Sequence, residues 1–173
     1  PYLETHNKSG DDYLAKLSIA WEDAAKLISN DIVIFRFGVV LSRKGGALKK
    51  LYLPYFLGFG GPIKDGSQCF SWIHVADLIK VFNYIILNPK KTGIYNVTSP
   101  KPIQQKYFGK VLANALKRPF IAPLFEWQLK LLFGSGSRVL TQSVSVFPGR
   151  LIDEGFEFDY PDIESAIDNL VLG

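Results

Sequence analysis

The sequence predicts an α/β fold built on a parallel sheet, and three observations predict it. Ile32-Val33-Ile34-Phe35-Arg36-Phe37 is β-branched and aromatic, too apolar for a strand with one wet face, and reads as a buried parallel strand. The segment before it, from Tyr13 to about Ser29, carries Leu14, Leu17, Trp21, Ala24 and Ile28 at helical spacing. The same order recurs later, where a helix from Asp77 to Leu87 precedes a second apolar strand, Gly93-Ile94-Tyr95-Asn96-Val97-Thr98. Helix followed by buried strand is the rhythm of an α/β sheet.

The chain is long enough for a sizeable core at 173 residues, and 47% hydrophobic with 21% charged is the balance of a folded protein. A net charge of +4 comes from scattered lysines and arginines, paired only at Lys49-Lys50 and Lys90-Lys91. A nucleic-acid reader needs a basic face, so no nucleic-acid partner is expected. Anionic small molecules fit the mild basicity. One cysteine, Cys69, excludes an internal disulfide and a cysteine cluster for zinc, which suits a reducing compartment. No apolar run reaches the roughly 18 residues of a membrane span, and no secretory signal opens the sequence. These features predict a cytoplasmic protein without a membrane partner. The sequence starts at Pro1 and has no methionine, so it is expected to be processed, truncated or incompletely represented.

Residues 1–10 read as a loop, with Asp11 or Asp12 capping the first helix. After the first strand, Gly38-Val39-Val40-Leu41 leaves the sheet at a strand's carboxyl end, where open α/β sheets bind ligands; continuation into the core is the competing reading. Gly45-Gly46 frees the backbone before a helix from Ala47 to Leu57, kinked or broken by Pro54. Gly58-Phe59-Gly60-Gly61-Pro62 lacks the spacing of a dinucleotide fingerprint and reads as a loop beside a site. Gly66 to Asp77 is a glycine turn, a β-prone aromatic run and then the start of a helix with Leu78, Val81, Phe82 and Ile85 inward. Ile103 to Leu116 is a helix with Tyr107, Phe108, Val111, Leu112 and Ala115 as its face. Past Arg118-Pro119 the pattern changes to short helices, Phe125 to Phe133 and Val139 to Val146. Phe156 to Tyr160 alternates like a strand, and Pro161 opens a last helix through Leu172. The domains are therefore expected at 1–119 and 120–173, the second small and mainly helical.

Within the aromatic run, alternation puts Trp72 and His74 on one face and Ile73 and Val75 on the other. His74 has two readings, a buried histidine satisfied by backbone or carboxylate and a general base. Asp77 is expected to cap its own helix and to orient the ring. His6 and His74 are too few for a metal site, and none is expected. Cys69 has no cationic neighbour and reads as inert. Arg36, buried at a strand end, needs a partner, and Glu22 on the first helix is the candidate.

Taken in order, Trp21-Glu22, Arg36-Phe37-Gly38-Val39-Val40-Leu41, Gly45-Gly46-Ala47, Leu53-Pro54, Gly58-Phe59-Gly60-Gly61-Pro62-Ile63, Gly66-Ser67-Gln68, Trp72-Ile73-His74, Asp77-Leu78 and Gly93-Ile94-Tyr95-Asn96 resemble the atypical, extended short-chain dehydrogenase/reductase-like proteins described as sugar-nucleotide epimerases. The tail, with Pro148, Gly155-Phe156 and Tyr160-Pro161, is similar to their C-terminal domain of unknown function. The resemblance implies the C-terminal part of a Rossmann-like doubly wound parallel sheet with a mostly helical substrate-side subdomain. It implies NADP(H) or NAD(H) as cofactor, with the main phosphate-binding loop in a half this sequence does not contain. It puts Gly38, Val39 and Val40 at the nicotinamide end of the cofactor, and Gln68, Trp72 and His74 toward a small-molecule substrate.

Two positions depart from the family pattern. Active extended reductases use a tyrosine with a lysine four residues later, and those positions hold Leu14 and Ser18; Tyr13 and Lys16 are three apart, which rotates them away from each other on a helix. Where sugar-nucleotide enzymes carry an arginine before the Trp72 strand, Phe70 stands. The expected activity is hydride transfer with nicotinamide on an unidentified substrate, a nucleotide sugar being one candidate. The competing expectation is a catalytically inactive nucleotide-binding regulator or scaffold.

Overall fold

The computed structural model describes residues 1–5, 10, 13–29, 31–121, 123, 134 and 143–173. The expected caps Asp11 and Asp12, His6, and the helix from Phe125 to Phe133 lie outside the described residues. In chain order the described elements are α1 (Tyr13–Ile28), β1 (Val33–Phe37), β2 (Val39–Leu41), α2 (Gly46–Phe56), β3 (Cys69–Phe70), β4 (Trp72–His74), α3 (Val75–Ile86), β5 (Gly93–Val97), β6 (Ile103–Gln104), α4 (Gln105–Ala115), α5 (Gly149–Asp153) and α6 (Ile163–Leu172).

The fold is α/β with parallel pairing, as the apolar strands predict. β1 pairs parallel with β5, Val33 opposite Gly93 through Phe37 opposite Val97. One residue later the same chain changes partner, and β2 pairs parallel with β4, Val39 opposite Trp72 and Leu41 opposite His74. Gly38 is the hinge between the two pairings. Its N–H donates to Val97 O at 3.2 Å, and the next N–H, of Val39, donates to Ser71 O at 2.8 Å. The other edge of β4 is met by the chain leaving β5, where Ser99 N–H donates to Trp72 O. A Cβ on Gly38 would stand 2.8 Å from Ser71 O and 2.9 Å from Thr98 Cγ2, so only glycine lets the three segments converge. β3 and β6 form a separate antiparallel pair.

Both faces of β4 are covered. Trp72 joins a core with Leu41, Leu48, Leu51 and Tyr55 on one side and Phe108, Leu112, Ile163 and Ile167 from α4 and α6 on the other. Ile73 points the opposite way, into a core of Val81, Ile85, Tyr95, Val97, Leu151 and Phe156. Val75 departs from the expected alternation: it opens α3, and the turn of the helix carries it back toward the Trp72 core.

Several expectations need correction. No α1 residue is buried; Trp21 is 68% and Ile28 85% exposed, because none of the α1 side chains joins either core. What ties α1 to the sheet is the expected Glu22–Arg36 pair, bidentate at 2.7 Å in both bonds. β1 is half-buried rather than buried, and its Phe37 is exposed. Phe82 also stays exposed, resting its ring on Phe35 at 4.9 Å. Tyr107 is likewise exposed, its hydroxyl donating to the Glu164 carboxylate. α4 starts at Gln105, since Ile103 and Gln104 are taken by pairing with β3. Pro54 lies inside α2, which ends two residues later.

Phe156 to Tyr160 forms no strand. Phe156 and Phe158 do turn to the second core, but the N–H groups of Asp159 and Tyr160 go to the Asp77 carboxylate instead of a neighbouring strand. The expected helix to Val146 is also not found where it is described. Ser143 to Val146 is non-helical, held by Ser71, whose hydroxyl donates to Val144 O at 2.8 Å and accepts from Val146 N–H at 2.9 Å. Tyr2 bridges Val146 in parallel there. No described helix is long and apolar enough to cross a membrane.

Gly38→Ala is expected to destabilise the full-length protein by roughly 1–3 kcal/mol, the usual cost of overpacking. Urea unfolding checks this, and an unchanged midpoint would refute the three-segment junction as the constraint.

Candidate functional site

The parallel register of β2 and β4 brings two groups of predicted residues side by side. Val39 lies opposite Trp72 and Val40 opposite Ile73, so Gly38-Val39-Val40 runs beside Trp72-Ile73-His74. Val39 packs on the Trp72 core and Val40 on the Ile73 core, both half-buried. Gln68 stands apart in its bonding. Its amide donates to Ile63 O at 3.1 Å and its backbone carbonyl accepts from Gln105 N–H, which shapes the 63–68 loop. The glycine loop before it is packed rather than open: Tyr55 donates its hydroxyl to Gly61 O, and a Cβ on Gly60 would stand 2.6 Å from the Tyr55 ring.

His74 is the N-cap of α3. Its Nδ1 accepts the Ala76 N–H at 3.0 Å, satisfying one of the donors a helix start leaves open. Asp77 was expected in that role and does not fill it. Its fully buried carboxylate faces across the fold, taking Asp159 N–H at 2.7 Å and Tyr160 N–H at 3.0 Å. The Tyr160 ring is thereby laid on the His74 ring, with centroids 3.9 Å apart. Lys80 closes the arrangement with an ion pair to Asp159. Tyr160 escaped the sequence reading because its alternation looked like a strand, and nothing local links it to His74.

Burial holds the His74 pKa below its ordinary 6.5, against the opposing pull of Asp77, Asn169 and Asp159. Burial pushes the Asp77 carboxyl above 3.8, and the two backbone N–H bonds pull it back only in part. The ring is thus a neutral cap at neutral pH. Because Nδ1 must keep its lone pair for Ala76, the ring proton sits on Nε2. That arrangement is a poor general base as it stands, since the accepting nitrogen is already used.

Further off, Glu154 gathers Lys91, the Tyr95 hydroxyl at 3.0 Å and Arg150 Nε at 3.0 Å. Burial opposes its ionisation, but the three hydrogen bonds outweigh that and hold its pKa down. Tyr95 is pushed up to about 12 by burial and by its bond to that carboxylate. This cluster ties α5 to β5. Two surface hollows also lie away from β4, one at Leu87 to Lys91 and one between α4 and α6 near Tyr107, Val111 and Leu172. Among the described residues no three His, Cys, Asp or Glu side chains converge as a metal site requires.

The sign of the His74 shift sets a prediction. Its folded pKa lies below its unfolded value, so its contribution to stability is present above pH 6.5 and is lost as pH falls through 6.5 toward the folded value. Asp77, shifted upward, works in the opposite sense, favouring the fold as it protonates. His74→Asn keeps a capping oxygen and removes the titration. Between about pH 7.5 and about pH 5.5 the variant should lose less unfolding free energy than the parent in urea titrations, the difference being at most about 1.4 kcal/mol per pH unit. Equal losses would refute the buried neutral cap.

Known proteins resemble the chain in sequence and in fold. The sequence pattern of a domain of unknown function (DUF1731) matches residues 124–170. An epimerase family protein of Staphylococcus aureus is 34% identical over 173 residues, covering 98% of this chain and 58% of the relative. The chloroplastic SDR39U1 homolog of Arabidopsis thaliana, an epimerase family protein, is 37% identical over 168 residues, 95% of this chain and 48% of the relative. The crystal structure of human epimerase family protein SDR39U1 with NADPH superposes at a TM-score of 0.91 with 30% identity, over 99% of this chain and 59% of that one. The chain thus spans about half the length of the curated relatives it matches. Sequence and fold together place it with the extended short-chain dehydrogenase/reductase-like epimerase family, as a match to that family's C-terminal portion.

Proposed function

We propose that this chain is part of an NADP(H)- or NAD(H)-binding epimerase- or reductase-like protein that acts by hydride transfer on a small-molecule substrate, with a nucleotide sugar as the candidate class. The observation that carries the reading is the register of β2 on β4, with Gly38, Val39 and Val40 at the carboxyl end of β1 and Trp72 and His74 on the adjoining strand. NADPH in the human relative supports it.

The residues present fit a cofactor in one respect. Val39 and Val40 are half-buried apolar residues just past a parallel strand and on opposite faces of β2, so one of them can lie against the flat face of a nicotinamide while the other packs inward. Gly38 is required by the sheet itself, whatever binds nearby. When bound, the nicotinamide would supply the hydride; this chain's part is to wall the ring and present the substrate side. Gln68 belongs to the same reading as a residue that shapes the substrate-side loop. We retain the division at 1–119 and 120–173 in this reading, with α6 sharing the Trp72 core.

A second reading, a nucleotide-binding regulator or scaffold without turnover, is favoured by α1. Leu14 and Ser18 occupy the positions of the catalytic pair, and Tyr13 and Lys16 are both exposed. Fluorescence titration of the full-length protein with NADPH and with NADH tests the shared claim. Saturable binding of either, with Kd in the range of about 1 μM to 1 mM, is expected for a working cofactor site. Failure of both would sink the proposal. Binding without hydride exchange toward any ketone or sugar tried would select the second reading.

A further inference from the structure

The outward side of α2 is apolar, and the charges beside it are all positive. Leu48, Leu51 and Tyr55 face the core, which turns Lys49, Leu53 and Phe56 outward at positions i, i+4 and i+7, with Lys50 and Leu57 beside them. Leu53, Phe56 and Leu57 are all exposed. Two loop ends extend the patch. Gly60 bridges Phe120, whose ring turns inward onto Tyr55. The adjoining residues Phe59 and Ile121 therefore turn outward, and they are 59% and 78% exposed. Ile121 N–H donates to Gly60 O, which keeps the two loop ends together. Arg118 joins them to α2: its Nε donates to Phe56 O at 2.6 Å, and its guanidinium lies 4.9 Å from the centre of the Phe56 ring. The sequence has no aspartate or glutamate from Arg43 to Lys64 or from Lys101 to Ile121. Among the described residues neither Lys49 nor Arg118 has an ion-pair partner.

A contiguous apolar patch with a rim of one charge restricts what can cover it. A second copy of this chain fits poorly. A two-fold contact sets a patch against itself, which would bring Lys49, Lys50 and Arg118 toward their own images. Nucleic acid would meet the cations, but Leu53, Leu57 and Ile121 give its bases no ring to stack on. A bilayer surface with anionic lipids meets both needs, offering acyl chains to the apolar side chains and phosphates to the cations. We propose that this face docks on an anionic membrane surface. Leu53, Phe56, Leu57, Phe59 and Ile121 enter the headgroup boundary, and Lys49, Lys50 and Arg118 take the lipid phosphates. The lysine stems can lie along the apolar patch while their heads stay in the polar layer. Arg118 spends its Nε on Phe56 O, which leaves its terminal nitrogens for a phosphate. The expectation of no membrane partner rested on the lack of a spanning run, and no described helix can cross a membrane. The contact proposed is with the surface alone, and it does not depend on the cofactor reading above.

The test is flotation of the full-length protein with vesicles of phosphatidylcholine alone and of phosphatidylcholine mixed with phosphatidylglycerol. The protein should float with the mixed vesicles only, and added salt should release it. Lys49→Gln should weaken that binding about fivefold, the worth of one cation near an anionic surface. Phe59→Ser should weaken it about tenfold through the lost apolar burial. Both side chains are exposed, so both variants should keep the parental melting temperature. Phe59→Trp locates the contact, since its added emission should be quenched by brominated acyl chains. No flotation with either vesicle, equal flotation with both, or parental affinity in Lys49→Gln and Phe59→Ser would each overturn the proposal. Light scattering without vesicles is the remaining arm: a dimer that Phe59→Ser dissociates would assign the face to a second copy and overturn the membrane reading.

Discussion

The sheet depends on three backbone segments meeting at Gly38. β1 arrives paired to β5, β2 leaves paired to β4, and the chain following β5 crosses to the far edge of β4. The exchange needs the Gly38 backbone to pass within contact distance of Ser71 O and the Thr98 methyl. Only a residue without a Cβ permits that approach. Once the exchange is made, β4 lies between two cores, with Trp72 facing one and Ile73 the other. The residues proposed for cofactor and substrate become neighbours through this exchange, although more than thirty positions separate them in the sequence.

A second set of interactions fastens the end of the chain to this sheet. The Asp77 carboxylate replaces a neighbouring strand for Asp159 and Tyr160, and Glu154 collects Lys91, Tyr95 and Arg150 beside β5. The Arg150 guanidinium also lies 4.1 Å from the centre of the Tyr95 ring. α6 adds Ile163, Ala166, Ile167 and Leu170 to the core that holds Trp72. Buried polar groups with fully assigned partners specify one arrangement more sharply than apolar contact does. The consequence for function is that the ring of His74 is held from below by its cap and from above by Tyr160, which fixes its tautomer and its plane.

Much of the fold was legible in the sequence. The apolar, non-alternating run at Ile32 to Phe37 and its counterpart at Gly93 to Thr98 announce parallel strands, and they do pair with each other in parallel. A buried arginine needs a carboxylate, which pointed from Arg36 to Glu22. The placing of Trp72 and His74 on one strand face was legible, since it follows from a period of two, whereas the separate bonding of Gln68 was not. What misled was polarity read locally. Asp77, at a helix start, looked like its cap, yet the cap is His74, one residue before the helix. Phe156 to Tyr160 has strand alternation and its aromatic residues do face the core, but a strand also needs a partner backbone, which no local pattern reports.

By itself the sequence determined the α/β class, the helices and parallel strands along most of the chain, and the residue types available for chemistry. These follow from periodicity and propensity, which act over a few neighbouring residues. The tertiary structure alone decided that no α1 side chain would join a core, that Asp77 would serve Tyr160, and that, among the described residues, Trp72 Nε1 and His74 Nε2 would be buried without a hydrogen bond that closes. Each of these depends on which distant backbone or side chain arrives at a given atom. Hydrogen bonds act over about 3 Å, so the assignment of partners is settled only when the segments have been brought together.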